Sequence, residues 1–125
     1  MDEETKKRLS HDPSGLLTYE YIANNINEID GIILELVDNM IAVDATGQFV
    51  VSTARYLHAI DPDRYAEAID ALVKAAIDKD RDRRYLPDLV ASLWGNDYQE
   101  RSAELSQTSD NFRRIYKRLY PALGI

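Results

Sequence analysis

Apolar residues recur along this chain at intervals of three and four, the spacing that gathers them on one face of an α-helix. Ile22, Ile26 and Ile29 follow Thr18, a residue able to cap the helix they define, and Asp30-Gly31 marks its end or a bend. Between about residues 32 and 43 the apolar positions cover more than half of the helical circumference, leaving Glu35, Asp38, Asn39 and Ala42 as a narrow polar stripe. A helix so apolar must be contacted from several sides, which predicts a central position. Asp44 to Gly47 reads as a connector, with Thr46 able to cap a third helix carrying Phe49, Thr53, Tyr56, Leu57 and Ile60.

Asp61-Pro62 starts a fourth helix, to about Lys79, with an acceptor at the cap and a proline where no N–H is missed. Leu86, Leu89, Val90, Leu93 and Trp94 define a fifth that Gly95 can terminate, and a weaker sixth covers Asp97 to about Leu105. In the last helix, capped by Ser109 or Asp110, Phe112, Ile115, Tyr116 and Leu119 keep helical spacing. No stretch alternates as a strand does. The pattern predicts an all-α fold, an irregular bundle of five to seven short helices packed as antiparallel hairpins around the helix at about residues 32–43.

Residues 1–15, with the turn-rich His11-Asp12-Pro13-Ser14-Gly15, read as a partly ordered N-terminal arm, and residues 16–125 as a single helical domain. A stack of repeats is not predicted, since no residues are found returning at one period of 30–47. The 125 residues suit one core. The absence of cysteine excludes disulfides, thiolate metal sites and thiol nucleophiles.

Neither a signal peptide nor a membrane span is predicted, because the charged start leads into no apolar run and Ile32 to Val43 is too short to span a bilayer. A cytoplasmic location is expected. The net charge of −7 is unevenly spread: residues 1–63 hold 12 acids against 4 bases, and residues 64–125 hold 10 against 11. An acidic chain repels nucleic acid at long range, so such a partner would need a concentrated basic patch.

Four places along the chain carry candidate chemistry. Asp78, Asp80 and Asp82 begin like a calcium loop, but Arg83 and Leu89 stand where its glycine and bidentate glutamate belong, so the segment reads as a solvated linker of mutually neutralising charges. His11-Asp12 resembles the adjacent His-Asp pair of metal-dependent phosphohydrolases, yet the other histidine, His58, lies downstream where that family places it upstream, and no activity is carried across. His58 with Asp61, and the Glu35/Asp38 stripe, are weak polar candidates for acid–base or metal chemistry, without a nucleophile or a Glu-x-x-His pair beside them.

The most discriminating feature is the last helix. Arg113, Arg114, Lys117 and Arg118 fall together on the face opposite its apolar arc. Such a face suits the negative end of a helix, an acidic partner, or phosphates. Tyr85, Trp94, Tyr98 and Tyr120 could serve as aromatic anchors, with core packing the alternative for Trp94.

No catalytic, cofactor or metal site is predicted. The expectation is a non-catalytic protein-interaction or oligomerisation module using the basic C-terminal helix, in contact with a protein partner or a second copy. The alternatives are phosphate contacts to nucleic acid through the same helix and a small metal-dependent hydrolase.

Overall fold

A computed structural model describes residues 1–121, which form an all-helical structure without strands among them. The helices are α1 (Glu3–Ser10), α2 (Leu16–Asn24), α3 (Ile33–Val43), α4 (Gln48–Ile60), α5 (Ala66–Lys79), α6 (Leu86–Trp94), α7 (Ser102–Thr108) and α8 (Asp110–Leu119), with a 3-10 turn at Asp30–Ile32 leading into α3. None is long and apolar enough to cross a membrane.

The stretch expected to be a partly ordered arm contains α1. Asp2 caps it by accepting the Thr5 N–H at 2.7 Å, and Leu9 on its inner face is completely buried. The predicted starts of three helices move, that of α7 from Asp97 to Ser102. Thr18 lies inside α2 rather than at its cap, and α5 begins at Ala66 after a turn in which Asp61 accepts the N–H groups of Asp63 and Arg64.

Three aspartates organise the chain. Asp12, Asp44 and Asp80 each follow a helix, each is at least 96% buried, and each turns its carboxylate onto the N-terminal N–H groups of the next helix. Asp12 accepts from Ser14, Gly15 and Thr18, Asp44 from Thr46, Gly47, Phe49 and Val50, and Asp80 from Arg84, Tyr85 and Leu86, all at 2.8–3.1 Å. A helix start has donors without intrahelical acceptors, and a buried carboxylate has oxygens that need donors, so each cancels the other's desolvation cost. Three residues after each aspartate the backbone is left-handed: Gly15 (φ 107°), Gly47 (φ 91°) and Arg83 (φ 58°).

The chain therefore does repeat, contrary to the expectation from its sequence. A shift of 36 residues superposes Ile33 on Ile69, Leu36 on Leu72, Val37 on Val73, Ile41 on Ile77, Asp44 on Asp80 and Leu57 on Leu93. Burial follows the same shift, since Ile33, Leu36, Val37, Met40, Val50 and Ala54 and their counterparts Ile69, Leu72, Val73, Ala76, Leu86 and Val90 all lie in the core. Asp12 stands 32 residues before Asp44 and heads a shorter, more divergent copy, in which Gly15, Thr18 and Ile22 correspond to Gly47, Val50 and Ala54.

Contacts between helices follow this repetition. α1 touches α3, α3 touches α5 and α5 touches α8, while α2 touches α4 and α4 touches α6. The two rows are joined where α2 meets α3, α4 meets α5 and α6 meets α8. The broad apolar face of α3 has its reason in this arrangement, since α1, α2, α4 and α5 all pack on it.

Candidate interaction surface

The basic face predicted on α8 exists, but most of it is tied into the fold. The Arg118 guanidinium donates to the Ile77 carbonyl in the last turn of α5, Arg114 lies 3.7 Å from the Asp78 carboxylate, and Arg113 pairs with Asp110 one turn back. Lys117 is exposed and has no ion pair among the described residues. Arg118 meets one of the unsatisfied carbonyls at a helix end, a favourable place for a cation.

These contacts bring α8 to the C-terminal end of α5, where the chain enters the turn 79–84. No ion pair forms within that turn among the described residues. Asp80 is 2% exposed and spends its carboxylate on three backbone N–H groups, leaving Lys79, Arg81, Arg83 and Arg84 with only Asp82 among them at the surface. None of those four cations has an ion pair among the described residues. Lys79, Arg81 and Arg84 line an open cleft of 270 Å³ with Thr46, Tyr85 and the aspartates Asp80 and Asp82, between the second and third aspartate turns. Together, residues 78–84 and α8 carry eight cations against four carboxylates, Asp78, Asp80, Asp82 and Asp110, in a chain whose net charge is −7.

Of the predicted aromatic anchors, Tyr85 sits half-buried on the wall of this cleft. Trp94 is half-buried too: its ring packs edge-on against Phe112 with centroids 5.4 Å apart, and it also borders a groove with Ile69, Val73 and Leu93. Tyr98 and Tyr120 share a 2.7 Å hydrogen bond between hydroxyls, and burial followed by that bond pushes the Tyr98 phenol up to about 12. Tyr116 stacks on Phe112 beside them.

The weak polar candidates do not converge. Asp61 caps its own turn and makes no bond to His58. Glu35 pairs with the Met1 amino group at 3.1 Å, while Asn39 bridges the Leu9 carbonyl and the Thr18 hydroxyl at 3.0 Å each, so the stripe on α3 is a polar seam to α1 and α2. Asp38 is exposed at a groove shared with Lys6. No group of three or more potential metal ligands occurs among the described residues. His11 is exposed and bonds to the Lys7 carbonyl, and Asp12 beside it is a buried turn carboxylate, so the resemblance to a phosphohydrolase pair is not matched by position.

The Asp12 carboxyl is held below its ordinary range. Burial pushes it up, and the Thr18 hydroxyl with the N–H groups of Gly15, Thr18 and Ser14 more than offsets that. Among the described residues no buried side-chain nitrogen or oxygen lacks a partner.

His58 is half-buried on α4, bordering both the groove beside Trp94 and an open groove across α2, α4 and α6. Tyr19 from α2, Arg55 and Tyr56 from α4 and Ser92 from α6 share its walls, and the groove measures 520 Å³. Arg55 Nε donates to Ser92 Oγ at 2.7 Å, fixing the guanidinium across two helices.

Fold and surface together define an all-helical protein with a repeated aspartate turn and a cationic end. No family model, curated protein or solved structure matches the chain.

Proposed function

We propose that this protein is a non-catalytic protein-interaction module whose docking surface is the cationic end built by α8 and the α5–α6 turn, and whose partner presents an acidic segment. The observation that carries this reading is the juxtaposition of two basic segments distant in sequence. Arg114 against Asp78 and Arg118 against the Ile77 carbonyl hold α8 on the last turn of α5, from which the turn carrying Lys79, Arg81, Arg83 and Arg84 leaves. Concentrated charge of one sign accelerates capture of an opposite surface, and arginines add paired N–H donors for carboxylates. The exposed, partnerless cations supply most of this attraction, because those already paired gain less from a new carboxylate. Full use of the buried polar groups in the aspartate turns supports a scaffold role. The same reading takes successive helices as antiparallel hairpins, supported by short connections and by the contacts of α2 with α3 and α4 with α5.

Fluorescence anisotropy with a labelled glutamate-rich peptide and a single-stranded oligonucleotide of equal charge tests the proposal. The expected result is saturable peptide binding that exceeds oligonucleotide binding and is lost in the folded variant R83E/R84E/K117E, which spares the cations bonded within the fold. Tighter oligonucleotide binding with a steep salt dependence would instead favour nucleic acid. Absence of binding to both probes refutes the docking surface.

A further inference from the structure

The groove across α2, α4 and α6 has a composition unlike the rest of this acidic chain. Its walls carry no carboxylate, while Tyr19, Ser52, Arg55, Tyr56, His58 and Ser92 all reach it. Arg55 uses only Nε within the fold, on Ser92 Oγ at 2.7 Å, so the four N–H bonds of its two terminal nitrogens have no protein acceptor among the described residues. The hydroxyls of Tyr19 and Tyr56 and the ring nitrogens of His58 make no hydrogen bond among the described residues either. Ser92 accepts from Arg55 and keeps its own O–H to give. Ser52 already donates, to the Gln48 carbonyl at 3.1 Å.

The groove is thus rich in donors and poor in acceptors. The Tyr19 ring meets Tyr56 edge-on at 6.2 Å and Phe49 at 6.4 Å, giving an aromatic wall beside the polar groups.

We infer that this groove binds a phosphomonoester, an anionic phosphate carried on an organic group. A carboxylate offers two oxygens, whereas a phosphomonoester offers three terminal oxygens and close to two negative charges at neutral pH. The larger number of acceptors matches the guanidinium, the tyrosine and serine hydroxyls and the imidazole, and the Arg55–Ser92 bond has already paid the cost of orienting the guanidinium. The organic part lies against the Tyr19 and Tyr56 rings. The ester is either a free small molecule or a phosphorylated side chain of a protein, and the phosphate chemistry is the same.

Isothermal titration at fixed ionic strength, with phenyl phosphate, benzoate and a short phosphotyrosine peptide as probes, tests this inference on the full chain. Phenyl phosphate is expected to saturate one site per chain and to bind about tenfold more tightly than benzoate. R55Q should lose at least about tenfold in affinity, and S92A, which frees the guanidinium without removing it, should lose less. Both variants should retain the wild-type circular dichroism, since Arg55 is exposed and Ser92 only half-buried. Equal binding of peptide and free ester identifies a small-molecule source, and tighter peptide binding a phosphorylated protein. Flat titrations with both phosphates, affinity unchanged in R55Q, or affinity lost in R83E/R84E/K117E but kept in R55Q would overturn the assignment. The last variant also separates this site from the proposed docking surface.

Discussion

Removing the Asp44 carboxylate tests the central structural claim, that buried aspartates hold the turns. Asp44 is 1% exposed and accepts the N–H groups of Thr46 and Gly47 at 3.0 Å and those of Phe49 and Val50 at 2.8 Å. In Asp44→Ala these four donors lose their acceptor together. Thr46 and Phe49 retain some access to water, but the bonds to Gly47 and Val50 lie in buried surroundings. Each buried donor left unsatisfied costs about 1–3 kcal/mol, so two give about 2–6 kcal/mol, a large share of a typical total stability of about 5–15 kcal/mol. Asp44→Asn keeps one acceptor oxygen and sets an NH2 group against donors, for a loss of about 2–3 kcal/mol. With a urea slope of about 2 kcal/mol/M, that moves the unfolding midpoint down by about 1–1.5 M. Asp88 is exposed and makes no side-chain bond among the described residues, and Asp88→Asn should change stability by less than about 0.5 kcal/mol. Urea denaturation followed by circular dichroism measures both. Equal stability of the Asp44→Asn and Asp88→Asn variants would refute the account of the turn.

The left-handed position of each turn gives a graded series. Gly15→Ala should be the most destabilising, since a Cβ there would lie 2.9 Å from Met40 Sδ and 3.1 Å from Phe49 Cβ in addition to the unfavourable φ. Gly47→Ala meets nothing closer than 3.4 Å and should cost only the backbone term of about 1–2 kcal/mol. Arg83→Gly should raise the melting temperature, as it relieves a side chain held at φ 58°, and a fall would refute that reading. The Asp12 carboxyl is lowered by its partners from the ordinary 3.8, so its stabilisation is complete above that value and disappears as pH falls through the folded value; Asp12→Asn should flatten the loss of urea resistance between pH 5 and acid. Tyr98, raised to about 12 by burial and by Tyr120, stabilises the fold below the ordinary 10.0 and loses that contribution as pH rises toward 12. Absorbance titration should show late ionisation that Tyr98→Phe reduces, leaving that of Tyr65, which burial and Asp30 also raise.

The helices were legible because a 3.6-residue period is a local property. The apolar stripes of α3, α5, α6 and α8 can be read from neighbours three and four residues apart, and the helix stop at Gly95 and the cap at Ser109 depend on adjacent residues too. The repeat was written in the sequence but obscured. It consists mainly of one aspartate and scattered Ile, Leu and Val positions, and substitutions such as Gly47 to Arg83 at the turn disguise the match. Asp12, Asp44 and Asp80 are the residues that composition places at the surface, and only the converging N–H groups of the following helix make their burial favourable.

The sequence by itself determined that this chain is helical, that α3 must be covered on several sides, and that α8 carries a cationic face. Tertiary structure decided which cations on that face remain available, because the partners of Arg114 and Arg118 are on α5, more than thirty residues away along the chain. It also directed the Asp80 carboxylate onto the backbone N–H groups of its turn rather than onto the neighbouring cations, and brought Tyr19, Arg55 and Ser92 into one groove. Charge along a sequence is a sum over residues. Which of those charges are left without a partner depends on the contacts folding makes, and that is settled only when distant helices pack.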